Sequence, residues 1–179
     1  DYPRTFEEMD EWFRTQPACG DYIRRLRWPD GFGCGCCGVI GEPWGMARGV
    51  FRCKACHGNT SLTAGTVFQD TRKPLRTWFL AMWFTISQKT GVSALGLQRV
   101  LGLGSYETAW TWRHKLRRAM VRPGRDRLTG KVEVDETYVG GPEEGKRGRE
   151  IEKKSIVVVA AEKNGRGIGR IRLQRVKDV

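Results

Sequence analysis

The sequence predicts a mixed α+β chain made of several small modules, and three patterns predict it. Two closely spaced cysteine pairs bracket a glycine- and aromatic-containing segment over 34–56. Apolar residues recur at helical spacing through 74–120, and alternating or continuous β-branched runs fill much of 131–176. The expected order is short N-terminal helices over 1–33, a cysteine-rich β-ribbon over 34–70, and a helical region over 71–122. A polar linker over 123–130 and three strands within 131–179 follow.

At 179 residues the chain is long enough for one ordinary domain or for two or three small modules. Its formal net charge of +12 favours a polyanionic partner, and nucleic acid is the one expected. No apolar run approaches the roughly 18 residues of a membrane helix, so no membrane partner is expected. The opening Asp1-Tyr2-Pro3-Arg4 lacks the basic and then apolar layout of a secretory signal. A cytoplasmic location follows as an expectation, and there cysteines serve as metal ligands more often than as disulfides.

The first helical segment spans 5–28. Thr5 and Glu8 stand at capping-box spacing, so that the hydroxyl and the carboxylate each satisfy a free backbone N–H. Phe6, Met9 and Phe13 share one face. Pro17 suits a helix start, and Cys19, Tyr22, Ile23 and Leu26 form a second stripe. Trp28-Pro29-Asp30-Gly31 ends the segment as a turn. Cys19 reads as a buried thiol, too far along the chain from the other cysteines to pair with them as a ligand.

Cys34 and Cys37 form one Cys-x2-Cys pair and Cys53 and Cys56 a second, with fifteen residues between Cys37 and Cys53. The two-residue gap lets the chain turn so that both sulfurs face one tetrahedral ion, and two such turns make a four-thiolate zinc site. With all four positions filled by protein the zinc is structural, because catalysis needs an open position. Cys36 could replace Cys37, and His57 could compete for the ion. Asn59–Asp70 then reads as a closing strand or hairpin, from its threonines and Val67-Phe68.

Pro74 opens the clearest helix, expected over 74–90. Leu75, Trp78, Phe79, Met82, Trp83 and Ile86 form its wide apolar face, and Gly91 lies past its end. Core packing is the expected role of that face. Residues 92–120 read as helix–turn–helix: Ser93 caps a helix through Leu95, Leu97, Val100 and Leu101, Gly102-Leu103-Gly104 turns, and Ser105 caps a second helix to Met120. The second helix has an inner face of Ala109, Trp112, Leu116 and Ala119 or Met120. Its outer face carries Arg113, Lys115, Arg117 and Arg118, and Arg122 follows with Arg125 and Arg127. Such a helix can enter the major groove of double-stranded DNA. Ser105, Tyr106, Glu107, Thr108 and Thr111 would then lie near base edges and the basic residues near phosphates. The competing reading is a solvated basic face on an ordinary helical hairpin. His114 is expected as a phosphate neighbour or packed residue.

The last region begins with Lys131–Gly141, a strand bearing Glu133, Asp135 and Glu136 in which apolar and polar residues alternate from Lys131 to Asp135. Carboxylates on a strand suit a hard cation such as Mg²⁺, which takes oxygen ligands and few carboxylates. Alternation puts Glu133 on the face of Asp135 and Glu136 on the other. A charged loop over 143–154, a fully buried strand over Ser155–Glu162, a hairpin turn at Lys163–Gly167 and a strand over Ile168–Val176 complete the chain.

The run Val132-Glu133-Val134-Asp135-Glu136-Thr137-Tyr138-Val139-Gly140-Gly141 resembles the first catalytic block of bacterial insertion-sequence transposases with an N-terminal zinc ribbon, the ISXO-type group. The Ser61-Leu62-Thr63-Ala64-Gly65-Thr66-Val67-Phe68 run and the Thr108-Ala109-Trp110 and His114–Met120 segments resemble the same group, whereas a cysteine at Cys36 departs from it. The resemblance implies a ribonuclease-H-like catalytic domain of the DDE type that cuts and joins DNA with Mg²⁺ or Mn²⁺. Asp135 would be the first metal ligand and Glu133 an auxiliary. The second aspartate and the third ligand of such enzymes lie downstream of the third strand, and Asp178 does not occupy either position. The chain is therefore expected to be an N-terminal portion that holds the first three strands of an incomplete catalytic domain and binds DNA better than it cuts it. The resemblance also implies transposon ends and target DNA as partners, a homodimer on paired ends, association with the nucleoid, and no small-molecule substrate. The alternative is a zinc-ribbon DNA-binding regulator without catalysis.

Overall fold

A computed structural model describes residues 2–45, 49–88, 90–121, 124–141 and 154–177. Arg122, Pro142, Asp178 and all but the last residue of the charged loop over 143–154 lie outside the described residues. The chain is mixed α+β, with two compact units, Asp1–Arg122 and Pro123–Val179.

In the first unit, α1 (Phe6–Trp12) starts at Thr5. The Thr5 hydroxyl accepts from the Glu8 N–H at 3.2 Å, and the Glu8 carboxylate accepts from the Arg4 and Thr5 N–H groups. Helix α2 (Gln16–Arg27) is capped by Thr15, with Pro17 in its first turn, where an N–H has no helical partner to lose. Met9, Phe13, Cys19 and Ile23 turn inward, while Leu26 is exposed. Burial raises the Cys19 thiol to about 11, and its Sγ lies 3.6 Å from the Phe13 carbonyl, which keeps it a neutral packed side chain.

The ribbon follows as two small antiparallel sheets. One pairs β1 (Phe32–Gly33) with β2 (Ile40–Gly41), and the other has the order β3 (Trp44–Gly45), β4 (Val50–Arg52), β5 (Asn59–Ser61). The closing strand expected within Asn59–Asp70 forms at Asn59–Ser61, and Val67-Phe68 take no part in it. Thr66 bonds back to the Thr63 carbonyl through its N–H and its hydroxyl, and the same hydroxyl accepts from the Phe68 N–H. Threonine hydroxyls compete for backbone groups in this way and favour turns over a ladder. Phe68 still reaches the core.

Helix α3 (Leu75–Ser87) buries Leu75, Trp78, Phe79 and Ala81. Met82 and Trp83 pack partly, and Ile86 is exposed. Helix α4 (Ala94–Leu101) is capped by Ser93 and ends at Gly102, which takes the left-handed conformation at φ 61. Its inward face is Ala94 and Leu97, with Leu101 half-buried; Leu95 and Val100 lie off that i, i+3, i+7 line and are exposed. Helix α5 (Tyr106–Met120) buries Ala109, Trp112 and Leu116, whereas Ala119 and Met120 stand in a last turn that runs beyond the core. One core joins α1 to α5 with Leu62 and Phe68, and its centre is Trp78 stacked on Trp112 at 3.7 Å. Trp28 and Phe51 pack against both this core and the ribbon's own.

The second unit is one antiparallel sheet of order β6 (Val132–Val139), β7 (Ser155–Asn164), β8 (Gly167–Val176). Asp135 pairs with Val159, which pairs with Leu173. β7 is half-buried along 155–162 rather than fully buried, and Val134 is 65% exposed, because the described residues of this unit form one sheet, with no helix or second sheet to cover its valines, isoleucines and leucine. The segment before β6 is clamped to the sheet. The Glu162 carboxylate accepts from the N–H and hydroxyl of Thr129 and from two guanidinium nitrogens of Arg170, at 2.6 and 2.9 Å. Arg170 first, and then Thr129, hold the Glu162 carboxyl down to about 2. A depressed carboxyl of this kind contributes stability above its ordinary range near 4.5 and loses it as pH falls towards about 2. Glu162→Gln is therefore expected to lower the protection factor of the Thr129 amide, its exchange relative to the free-peptide rate at the same pH, at neutral pH, and the wild-type protein should lose that protection only on acidification through that window. Equal exchange in the two proteins at neutral pH would show that the clamp does not hold the linker.

Candidate metal centre and nucleic-acid interface

The two cysteine turns fold alike. Cys34 and Cys53 each donate an N–H to the carbonyl five residues on, Val39 and Gly58, at 3.0 and 2.9 Å. Gly38 and His57 each donate an N–H to the carbonyl four residues back. Both sit at positive φ, 72 for Gly38 and 57 for His57, a region glycine enters freely and histidine enters more readily than most side chains. His57 thus occupies the turn position equivalent to Gly38. Its ring stacks on Trp44 at 5.6 Å.

These turns bring the Sγ atoms of Cys34, Cys37, Cys53 and Cys56 within 4.8 Å of one another. Cys34–Cys56 and Cys37–Cys53 stand at 3.6 and 3.7 Å. Thiolates at 2.3 Å from a tetrahedral zinc lie about 3.8 Å apart, so the donor set and its spacing fit that ion. Backbone N–H groups point at the sulfurs: Cys36 donates to Cys34 and Gly58 to Cys56, both at 3.4 Å. The N–H groups of Cys37 and then Cys36 lower the Cys34 thiol to about 6, and those of Cys56 and Ala55 lower Cys53, which favours the thiolate that a metal needs at these two positions. At Cys37 and Cys56 backbone N–H groups pull the same way, but crowding by the other thiols raises Cys37 and pushes Cys56 up to about 12. Cys36 and His57 fall outside the four-thiol group. Cys34 and Cys53 are buried, while Cys37 and Cys56 are exposed.

The residues expected near DNA come from α5 and its cap, apart from Arg122, Arg125 and Arg127 further along the chain, and those on the helix do not share one surface. Consecutive helix positions diverge by about 100°. Opposite the buried Ala109, Trp112 and Leu116 runs a ridge of Glu107, Thr111, His114 and Arg118. Tyr106, Trp110, Arg113 and Arg117 flank it on one side, with Thr108 and Lys115 on the other. Tyr106 and Thr108 therefore face about 160° apart. The Ser105 oxygen is taken up as the helix cap, accepting from the Glu107 N–H at 3.1 Å. Among the described residues no ion pair engages Arg113, Lys115, Arg117 or Arg118, so their charge is open to a polyanion. Arg122 lies outside the described residues. Sequence patterning did not single out Trp110, which is 49% exposed on this basic helix with its ring 4.0 Å from that of His114.

Asp135 lies mid-strand on β6, exposed, with one oxygen accepting from the Glu136 N–H at 2.9 Å. The register puts Glu133 on its face, opposite Ala161. Glu133 is engaged there by Lys163 at 2.8 Å, whose ammonium holds its carboxyl below the usual range. Among the described residues the thiols form the one group of three or more ligand atoms close enough to share an ion, so Asp135 and Glu133 are not assembled into a second.

Residues 14–59 match a family described as a transposase zinc-ribbon domain, and residues 127–179 match an ISXO2-like transposase domain. A protein of Halobacterium salinarum, described as an uncharacterized protein in transposable element ISH50, is 32% identical over 149 residues, covering 80% of this chain and 47% of that relative. The chain thus spans about half the length of the curated relative it matches. No solved structure matches.

Proposed function

We propose, for a chain whose residues 14–59 and 127–179 carry the zinc-ribbon and ISXO2-like domains of transposases, that it serves DNA transposition, with the first unit binding double-stranded DNA and Asp135 contributing to strand cleavage and transfer. The observation that supports this most is the order of the two matches in one strongly basic chain, with an open cationic helix between them. Cys34, Cys37, Cys53 and Cys56 hold a structural Zn²⁺. The ridge of α5 enters the major groove, where Thr111 and Glu107 reach base edges and Arg113, Arg117 and Arg118 meet phosphates.

Asp135 is suited to one ligand position for Mg²⁺ or Mn²⁺, since it is an exposed carboxylate fixed by a sheet. Of two divalent ions held by Asp135 and further ligands, one would activate the attacking oxygen and the other would stabilise the leaving one. The remaining ligands must come from outside the described residues, in the ribonuclease-H-like arrangement to which a three-stranded antiparallel start is suited. Glu133, neutralised by Lys163, positions the strand rather than the ion. Transposon ends and target DNA are the substrates on this reading, and a homodimer holds paired ends.

The test is Asp135→Ala in the natural full-length protein, assayed for cleavage of a plasmid carrying element ends with Mg²⁺ or Mn²⁺. Cleavage is expected to fall by more than the roughly 10–100-fold that loss of an outer-shell partner costs. Cleavage at the wild-type rate would remove Asp135 from the reaction. Tight duplex binding without cleavage by either protein would favour a DNA-binding regulator instead.

A further inference from the structure

A groove of about 470 Å³ runs between the Thr108 and Lys115 flank of α5 and the loop Gln69–Lys73 that leads into α3. Its floor is the buried pair Trp78 and Trp112, and its far wall carries Arg72 and Lys73. Both cations are exposed, and among the described residues no ion pair engages either of them.

The loop is built rather than loose. The Thr71 hydroxyl accepts from the Trp78 indole N–H at 2.7 Å and from the Lys73 N–H at 3.2 Å, and it lies 3.2 Å from the Lys73 carbonyl. The Thr71 N–H donates to the Phe68 carbonyl at 3.1 Å. Trp78 in turn lies flat on Trp112 of α5 at 3.7 Å. The loop backbone that carries Arg72 and Lys73 is therefore tied to α5 through two rings and one hydroxyl.

We propose that Arg72 and Lys73 form a second, preset contact to DNA, gripping the phosphates at the edge of the major groove that α5 enters. The proposal rests on the DNA reading of α5 and extends it to a loop outside the helix–turn–helix. An α-helix with its side chains is about 10–12 Å across and the major groove about 12 Å wide, so a seated helix fills the groove. Cations held beside the helix then meet the phosphate strand at its border. Two carboxylates share the groove with Arg72, Lys73 and Lys115. The Asp70 carboxylate takes a hydrogen bond from the Gln69 amide at 3.3 Å. Glu107 stands in the first turn of α5, where the helix dipole favours it and where it can accept from a cytosine amino group. Asp70 stands two residues before Arg72, and with one acid against two bases the loop Gln69–Lys73 stays net positive.

The experiment is binding of this chain to a mixed-sequence 30-base-pair duplex, followed by fluorescence anisotropy across a salt series. Each phosphate neutralised contributes about 0.9 to the slope of log affinity against log salt. The double variant Arg72→Ala/Lys73→Ala is expected to bind with a slope shallower by about 1.8. Arg14→Ala/Arg25→Ala, which removes two exposed cations outside this groove, should keep the wild-type slope. A loop variant with the wild-type slope, or an equal fall in both double variants, would overturn the proposal. Arg113→Ala/Arg117→Ala separates it from the reading beneath: if that variant loses slope while the loop variant does not, α5 binds DNA and the loop does not. If neither loses slope, or if the wild-type chain does not bind duplex, both readings fail together.

Discussion

Stripping the metal from the chain is expected to release one zinc per molecule and to melt the ribbon while leaving much of the helical core folded. The ribbon's own buried cluster is Phe32, Cys34 and Cys53 with Trp28 and Phe51 packed against it, and its strands are two or three residues long. So small a core cannot offset the entropy of ordering the segment. Structural zinc supplies about 10–16 kcal/mol of apparent binding energy in comparable sites, enough to decide between folded and unfolded. Helices α1 to α5 have their own shared core and lose chiefly the packing that Leu62, Trp28 and Phe51 bring from the ribbon side. The measurement is amide exchange in chelator, read at the N–H groups of Gly38, Cys53 and His57, which close the two cysteine turns. Protection surviving at these three positions in metal-free protein would remove zinc as the organiser. Cys53→Ser should abolish stoichiometric zinc binding, and Cys36→Ser should leave it intact, since Cys36 lies outside the four-thiol group. A loss of zinc in Cys36→Ser and not in Cys37→Ser would exchange the two ligands.

Trp78→Ala is expected to cost about 3–5 kcal/mol, the range for removing a large buried aromatic. Trp78 is 1% exposed, stacks on Trp112 at 3.7 Å and meets Phe68 edge-on at 5.6 Å. Its loss opens a cavity at the point where α3, α5 and the Thr71 loop meet, and leaves the Thr71 hydroxyl without its indole donor. Stability of that size is a large share of the roughly 5–15 kcal/mol available to a domain, so the denaturant midpoint should fall sharply. Trp78→Phe keeps most of the packing and removes the hydrogen bond, and should cost nearer 1 kcal/mol. An alanine variant as stable as the wild type would mean that the two rings do not form the centre of this core. Because Trp78 also seats the loop of Arg72 and Lys73, Trp78→Phe is the milder probe of how far that loop depends on its anchor.

Local signals in the sequence were strong where spacing alone carries geometry. The Thr5–Glu8 capping box, the caps at Ser93 and Ser105, the turn at Gly102 and the alternating strands are short-range features, and each forms where the residues call for it. Apolar stripes were legible only in outline. Ile86, Leu95, Val100, Leu26 and Met120 extend the patterns in sequence yet stand exposed, because a stripe says which face is apolar and not how much of it a neighbour covers. Val67-Phe68 read as a strand on propensity, and the Thr66 hydroxyl outbid the ladder for the backbone. The pairing of Gly38 with His57 was hidden for a different reason: a histidine beside Cys56 suggests a ligand until its backbone conformation is known.

What the sequence determined by itself is the chemistry that fixed intervals impose: two Cys-x2-Cys turns able to face one ion, a capped helix with a cationic outer side, and a strand that carries Asp135 and Glu133 on one face. These follow from helix and strand periods and from the reach of two-residue turns, which hold whatever surrounds them. Tertiary structure alone decided which thiols meet, that Trp78 and Trp112 come together to tie the Thr71 loop to α5, and that Lys163 takes Glu133. Those depend on contacts between segments distant in the chain. Their free energy is set by packing and burial across elements, and no local interval encodes it.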